Sequence, residues 1–309
     1  MRKTAYFFVD DVIWCFRDLT RTKPKSIFDV PFLAMLKRVH DKYGLKVQLN
    51  LFYRTDFFYG NDEFTLAEVP DTYKPEFEAN SDWLKMAFHA KQEFPDYPYV
   101  NADYEDVKSN FLATKREILR FAGEGSLSHS VCPHWLPISR EGCQALADCG
   151  VKFISPSSGD RREYDGNPDS LPYGHAFRLL QNRKPETMIF TRNGKNKAIA
   201  NSLCGYNHIS AEQMDSIKGR NLSILDKETG IRFRQHAGGP SLNRHTLKEI
   251  EEKLNEMNDG REFIGCGTHE QYFYEDYFAY QPDYAEKVYL LAKKVTEFGY
   301  TWVTADELK

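Results

Sequence analysis

The polar and apolar positions of this chain fall into blocks that read as strand, helix, strand. Tyr6–Val9 is a short aromatic and apolar run that stops at two adjacent acids, Asp10 and Asp11, and an apolar run resumes at Val12. That pattern predicts a buried strand delivering both acids to its C-terminal end, with a helix beginning at Val12. Phe32, Leu33, Leu36, Val39 and Tyr43 recur at helical spacing up to Gly44, a C-cap signal, and Lys46–Tyr53 alternates as a second strand. Strand, helix and strand in succession make a βα unit and point to a parallel sheet. Trp83–His89 reads as a third strand. Val107 to Phe121 marks a long helix closed by Gly123, and Leu127–Cys132 another strand. Ser139 caps a helix that stops at Gly150, and Val151–Ser155 is a short strand.

From about Pro156 to His245 helical periodicity fades, Gly, Pro, Asn and Arg are frequent, and Asp226–Gly230 (DKETG) has the composition of a hairpin turn. This stretch, about 156–245, is expected to be a partly β, partly irregular insertion over the rim of a single domain that covers 1–309. Regular structure resumes with a helix carrying Leu247, Ile250, Leu254 and Met257. A strand, Glu262–Thr268, then ends at His269 and Glu270. A last helix carries Val288, Leu291, Ala292, Val295 and Phe298, and Tyr300–Val303 is the closing strand.

The 309 residues suffice for one large α/β domain with a substantial core. The 41 basic and 45 acidic residues give a net charge of −4 without long single-sign blocks, which argues against a nucleic-acid or anionic-membrane surface. The six cysteines show no CxxC pair or zinc-ribbon spacing, and no apolar stretch is long enough to span a membrane or form a signal-peptide core. The expectation is a cytoplasmic protein with reduced thiols. Nothing in the sequence fixes the oligomeric state, and a homo-oligomer is compatible with it.

Three expected strands end in groups that bind metals or move protons: Asp10 and Asp11, His89, and His269. Each alone has a bland reading: Asp11 as the N-cap of the next helix, a histidine as a hydrogen-bonded structural residue. Their shared position carries more, because the C-terminal ends of parallel strands face one side of a sheet. Aspartate with histidine suits Zn²⁺ or a similar cation, while a second acid and a second histidine suit proton transfer.

These residues resemble the polysaccharide deacetylase (NodB-homology) family. The opening Phe7-Phe8-Val9-Asp10-Asp11, the strand end Ala87-Phe88-His89, the late Gly267-Thr268-His269-Glu270 and the closing Gly299-Tyr300-Thr301-Trp302-Val303-Thr304 follow that family's order. The resemblance implies an irregular (β/α)7-type barrel of the α/β class. It also implies a metal-dependent hydrolase that removes an acetyl group from a carbohydrate or sugar precursor, with metal-activated water attacking the amide or ester carbonyl. Asp10 would be the general base, Asp11 and His89 metal ligands, and His269 the general acid. The metal would be zinc, with cobalt, manganese or nickel as alternatives.

The sequence also departs from the family. Glu93 stands four residues after His89, where a second ligand histidine is expected, so Glu93 is the candidate third ligand, with His129 and His134 as rivals. Cys132-Pro133 replaces an Arg-Pro element, and Val12 occupies a position where glycine is expected. Trp135, Tyr173 and Tyr206 are candidates to stack on sugar rings. Arg178, Arg183, Arg232 and Arg234, with His175 and His236, suit an anionic sugar or nucleotide-sugar. Trp135, Arg178, Arg234 and Glu270 are taken as the substrate-binding set. Two alternatives stand beside the deacetylase: a metal-free glycoside hydrolase using a carboxylate pair such as Asp11 and Glu270, and an inactive carbohydrate-binding protein.

Overall fold

A computed structural model describes residues 3–55, 63–93, 97–158, 205–277 and 279–308. Its first strand, β1 (Thr4–Val12), is buried along its whole length, as the apolar run requires. It continues through both acids to Val12, which pairs with Leu51, so the helix expected from Val12 starts only at Trp14 (α1, Trp14–Thr22). Helix α2 (Pro31–Tyr43) ends at Gly44 in the left-handed conformation, where glycine carries no Cβ penalty. Then follow β2 (Val47–Phe52), α3 (Lys74–Ala79), β3 (Leu84–Ala90) and α4 (Tyr104–Phe121). A short β4 (Ser130–Val131) leads to α5 (Arg140–Asp148), whose N-cap Ser139 accepts the Gly142 amide as its position predicts.

Strands β5 (Phe153–Ile154) and β6 (Ser157–Ser158) precede residues 159–204, which lie outside the described set. After them come β7 (His208–Ile209), α6 (Ala211–Ile217), β8 (Ile224–Leu225) and β9 (Arg232–Phe233). The chain closes with α7 (Leu247–Met257), β10 (Phe263–His269), α8 (Tyr284–Glu297) and β11 (Thr301–Trp302). No helix among the described residues is long and apolar enough to cross a membrane.

The parallel order β10-β1-β2-β3, with β11 also on β1, forms one sheet, and β4-β5-β9-β8 forms another. A parallel bridge from Met86 to Leu127 joins their edges, and beyond β9 the Gly238 and Gly239 amides reach the Gly265 carbonyl in β10. The array curls into an irregular α/β barrel whose ladder is not closed among the described residues. Asp226–Gly230 turns the antiparallel β8–β9 hairpin, as its composition indicates. Strand β9 runs parallel to β5, so part of the stretch expected to lie over the rim is built into the sheet.

Side chains alternate along β1. Ala5, Phe7 and Val9 enter the main core under the helices, whereas Tyr6 and Phe8 join Phe263, Val303, Ala305 and Leu308 in a smaller cluster. Asp10 follows Tyr6 and Phe8 on the inner face. Gly267, paired with Phe8, leaves room for its ring, because a Cβ there would stand 2.3 Å from it.

Strict alternation would turn Asp11 outward, and a bulge prevents this. Val9 pairs with Leu49 but Val12 with Leu51, so β1 carries one extra residue, and Asp11 takes φ 61°. Aspartate tolerates that region better than bulky residues do. Strand β3 is irregular at the same level: Leu51 faces Phe88 and Phe52 faces Ala90, leaving His89 as the extra residue.

Helix α1 has no side-chain cap of its own and no acid in its first turn. Glu270, just beyond β10, supplies both. Its Oε2 accepts the amides of Ile13 at 2.7 Å and Trp14 at 2.8 Å, and its Oε1 that of Cys15 at 2.8 Å. The carboxylate is fully buried and does not line the cavity, so Glu270 is a structural clamp rather than the expected substrate-binding residue. Asp11 is not the cap either. Glu270→Ala strands three amides and should lower unfolding free energy by about 2–4 kcal/mol in chemical denaturation, with Glu270→Gln intermediate. A loss below about 0.5 kcal/mol would remove the clamp from the account of the fold.

Candidate metal centre

Asp11, His89 and the loop after β4 meet on the floor of a cavity of about 480 Å³. Asp11 Oδ1 stands 3.1 Å from His89 Nε2 and 3.3 Å from His134 Nδ1, and the two ring nitrogens are 3.1 Å apart. Their other nitrogens fix the tautomers. His89 Nδ1 donates to the Cys132 carbonyl at 2.6 Å, and His134 Nε2 donates to the Glu93 carbonyl at 3.0 Å. The nitrogens facing Asp11 therefore carry lone pairs, and Asp11 Oδ1 itself has no hydrogen-bond partner.

Three electron-rich atoms thus converge on one point. Burial lowers the His89 pKa, but Asp10 and Asp11 outweigh it and raise it; a proton there would satisfy one edge of the triangle. A divalent cation would satisfy all three, and tetrahedral Zn²⁺ with bonds near 2.0–2.1 Å needs donor separations of about 3.3 Å. Burial acts to raise the Asp11 pKa, yet His269, His134 and His89 hold it well below the usual carboxylate range. Burial lowers the His134 pKa, which favours the neutral ring that a metal takes. Phe52 packs edge-on against His134 at 5.0 Å and tilted against His89 at 5.5 Å, keeping both rings in place.

Asp10, His89 and Cys132 form a second cluster of donor atoms. The His89 nitrogen nearer Asp10, Nδ1 at 3.9 Å, is the one already committed to the Cys132 carbonyl, so the Asp11 triangle is the better cation site. Asp10 instead has the setting of a base. Its Oδ1 accepts Asn50 Nδ2 at 2.6 Å, and burial raises its pKa to about 6 against the pull of His89 and Asn50. Gln48 Nε2 in turn donates to Asn50 Oδ1 and to the Ser130 carbonyl, which fixes the Asn50 amide. On the other side His269 Nε2 lies 3.9 Å from Asp11 Oδ2, while its Nδ1 meets Asn243 Oδ1 at 3.2 Å.

The remaining candidates divide. His134 takes the place foreseen for Glu93, which is buried one layer out: its carbonyl orients His134 and its carboxylate accepts Gln271 Nε2 at 3.2 Å. His129 sits at the opposite end of β4, its ring half-exposed beside Asp306, and is not a ligand. Trp135 lines the cavity with its backbone at φ 63°. Arg234 does not line it; its guanidinium packs 3.5 Å over the Phe153 ring and donates to the Ala305 carbonyl, so the expected substrate contact is a buried brace. Arg232 is exposed, and Tyr206 donates to Asp226. Arg178, Arg183, His175 and Tyr173 lie outside the described residues. Asn50 and Asn243 were missed; Asn50 had a signal, since Gln48 and Asn50 are polar at alternate positions of an apolar strand.

No family model matches the chain, and no curated protein matches it. Among solved structures it is similar to a 4-alpha-glucanotransferase from Thermococcus litoralis, with a TM-score of 0.50 at 12% identity over 99% of this chain and 40% of that one. It is also similar to a CE4 family pseudoenzyme from Bacillus anthracis (TM-score 0.44, 9% identity, 99% of this chain and 65% of that one). A family 4 carbohydrate esterase from Streptomyces lividans in complex with acetate gives a TM-score of 0.44 at 8% identity, over 98% of this chain and 91% of that one. The first likeness speaks to the fold alone, and the other two are too loose to carry more.

His236 also lines the cavity, with Nε2 2.6 Å from Ser130 Oγ. Burial, helped by Arg234, pushes its pKa from 6.5 down to about 3. The unfolded chain takes up a proton near 6.5 that the folded chain refuses until about 3, so stability falls as pH drops through that window. The His236 contribution approaches about 1.4 kcal/mol per pH unit. Urea unfolding from pH 6.5 to 4 should show a slope shallower by about that amount in His236→Gln than in the parent; equal slopes would contradict the buried neutral ring.

Proposed function

We propose that the chain is a metal-dependent hydrolase that removes an acetyl group from a carbohydrate, with Asp11, His89 and His134 holding the cation. The observation that carries this reading is the triangle of two imidazole lone pairs and a carboxylate oxygen with edges of 3.1–3.3 Å, a donor set suited to zinc. Cobalt, manganese and nickel suit the same donors. A bound divalent ion would polarise the acyl carbonyl and make water a stronger acid.

The chain's own groups supply the rest. Asp10, held by Asn50, takes the proton from the attacking water; a base with a pKa near 6 does so efficiently around neutrality. His269, its Nδ1 held by Asn243, gives a proton through Nε2 to the departing amine or alcohol. Trp135 offers an indole face in the cavity wall for a sugar ring. The order of the sequence motifs supports the acetyl-carbohydrate substrate. A glycosidase pair of Asp11 and Glu270 finds no support, because both Glu270 oxygens face the start of α1.

Elemental analysis of purified protein, combined with acetate release from a panel of acetylated saccharides, tests the reading. One divalent ion per chain is expected, lost in Asp11→Asn, His89→Ala and His134→Ala. Asp10→Asn and His269→Ala should keep the metal and lower turnover by about 10²–10⁴. Glu93→Ala should keep it with affinity little changed, well short of the about 10–100-fold that losing a supporting group costs, because the backbone carbonyl that orients His134 remains. Protein that holds no divalent ion and takes none up on soaking would falsify the proposal.

A further inference from the structure

The cavity has a second wall that the chemistry above leaves unused. It is built from the end of α6 and the segment leaving β9, and it presents Met214, Asp215 and Lys218 from the first and Gln235 and Arg244 from the second. Lys218 and Arg244 are both exposed. Asp215, one turn before Lys218, forms no ion pair with it, and Lys218 has no side-chain partner among the described residues. Arg244 follows Asn243, whose Oδ1 meets His269 Nδ1 at 3.2 Å, and both Arg244 and His269 line the cavity. Arg244 therefore stands on the His269 side of the floor, and Lys218 shares the same cavity from α6.

Charge gives this wall a purpose. The floor holds two carboxylates, Asp10 and Asp11, which a bound divalent cation would balance. What remains is a wall with two cations and one acid facing a concave site, where charges of one sign concentrate oppositely charged ligands. Guanidinium and ammonium groups are the usual partners of carboxylate and phosphate. We infer that the substrate is an acylated saccharide carrying a carboxylate or a phosphate, held by Lys218 and Arg244 while its acyl group reaches the Asp/His floor. The inference rests on the deacetylase reading for the acyl group but not for the anion. It also moves anion recognition from Arg234, which is buried as a brace, to residues that line the cavity.

Titration calorimetry on the zinc-loaded protein tests it with three probes: N-acetylglucosamine 6-phosphate, N-acetylmuramic acid and neutral N-acetylglucosamine. At least one charged probe should bind about tenfold or more tightly than the neutral one, and which of the two does so separates phosphate from carboxylate. That preference should shrink at about 0.5 M salt, as screening requires. Lys218→Met and Arg244→Met should each remove most of it. Lys218 also ends a helix, where a cation favours the dipole, so affinity rather than stability is the informative readout. Three equal affinities, no measurable binding of either charged probe, or a preference unchanged in both variants would each overturn the inference. Metal content of the same samples keeps the two proposals apart. Equal affinities in protein that holds zinc refute the anionic wall alone, whereas a charged-probe preference in protein that takes up no metal upholds the wall and refutes the hydrolase.

Discussion

Two imidazole lone pairs and a carboxylate oxygen held 3.1–3.3 Å apart repel one another unless a cation sits between them. Leaving buried groups unsatisfied costs about 1–3 kcal/mol each, so a fold keeps such a cluster only when its surroundings over-determine it. Here they do. The Asp11 backbone is held at φ 61° inside a bulge, and His89 occupies the irregular position of the neighbouring strand. Carbonyls of Cys132 and Glu93 take the ring protons that would otherwise fill the centre. Two adjacent acids on a strand cannot both face inward without such an irregularity. The local distortions of β1 and β3 and the lone-pair triangle are therefore one feature seen from backbone and side chain.

Glu270 ties this feature to the opposite side of the floor. It follows His269 directly, and its carboxylate grips the amides of Ile13, Trp14 and Cys15 at the start of α1, beginning two residues beyond Asp11. Strand pairing already sets Asp10 against His269. The clamp adds a constraint on the backbone just past each of them, so Asp10, Asp11 and His269 are held as one unit. Sequence reading placed Glu270 among substrate contacts because it adjoins His269. Adjacent residues at a strand end leave in different directions, however, and only His269 turns to the cavity.

Much of the architecture was legible. The strand cores at 6–9, 47–52 and 84–89 announce themselves by alternation and β-branched or aromatic residues, and α2 and α5 by periodicity and caps. Less legible was anything that depends on register. Val12 looked like the start of a helix because an apolar run resumed there, yet it pairs with Leu51. β9 was legible only as the arm of a hairpin after Asp226–Gly230; its place beside β5 in the parallel sheet was not, because a two-residue strand among Arg and Gly has no periodicity to detect. Asn50 and Asn243 join the candidate site only through contacts to Asp10 and His269, from residues 40 and 26 positions away.

The third candidate ligand shows why spacing misleads where geometry does not. Four residues after His89 the chain has Glu93, and a motif reading places the ligand there. A metal site, however, constrains points in space and is indifferent to which segment supplies them. The loop after β4 runs beside the end of β3, with the His134 amide bonded to the His89 carbonyl, so an imidazole from that loop can reach the same point. Position 93 is not released by the exchange. It contributes a backbone carbonyl, which orients His134, in place of a side chain that would bind the ion. Because that carbonyl exists whatever residue stands at 93, the demand on the Glu93 side chain is relaxed while the demand on the path of the chain is kept. The departure that weakens the sequence motif thus leaves a candidate donor set of Asp11, His89 and His134, with Glu93 supporting it through its backbone.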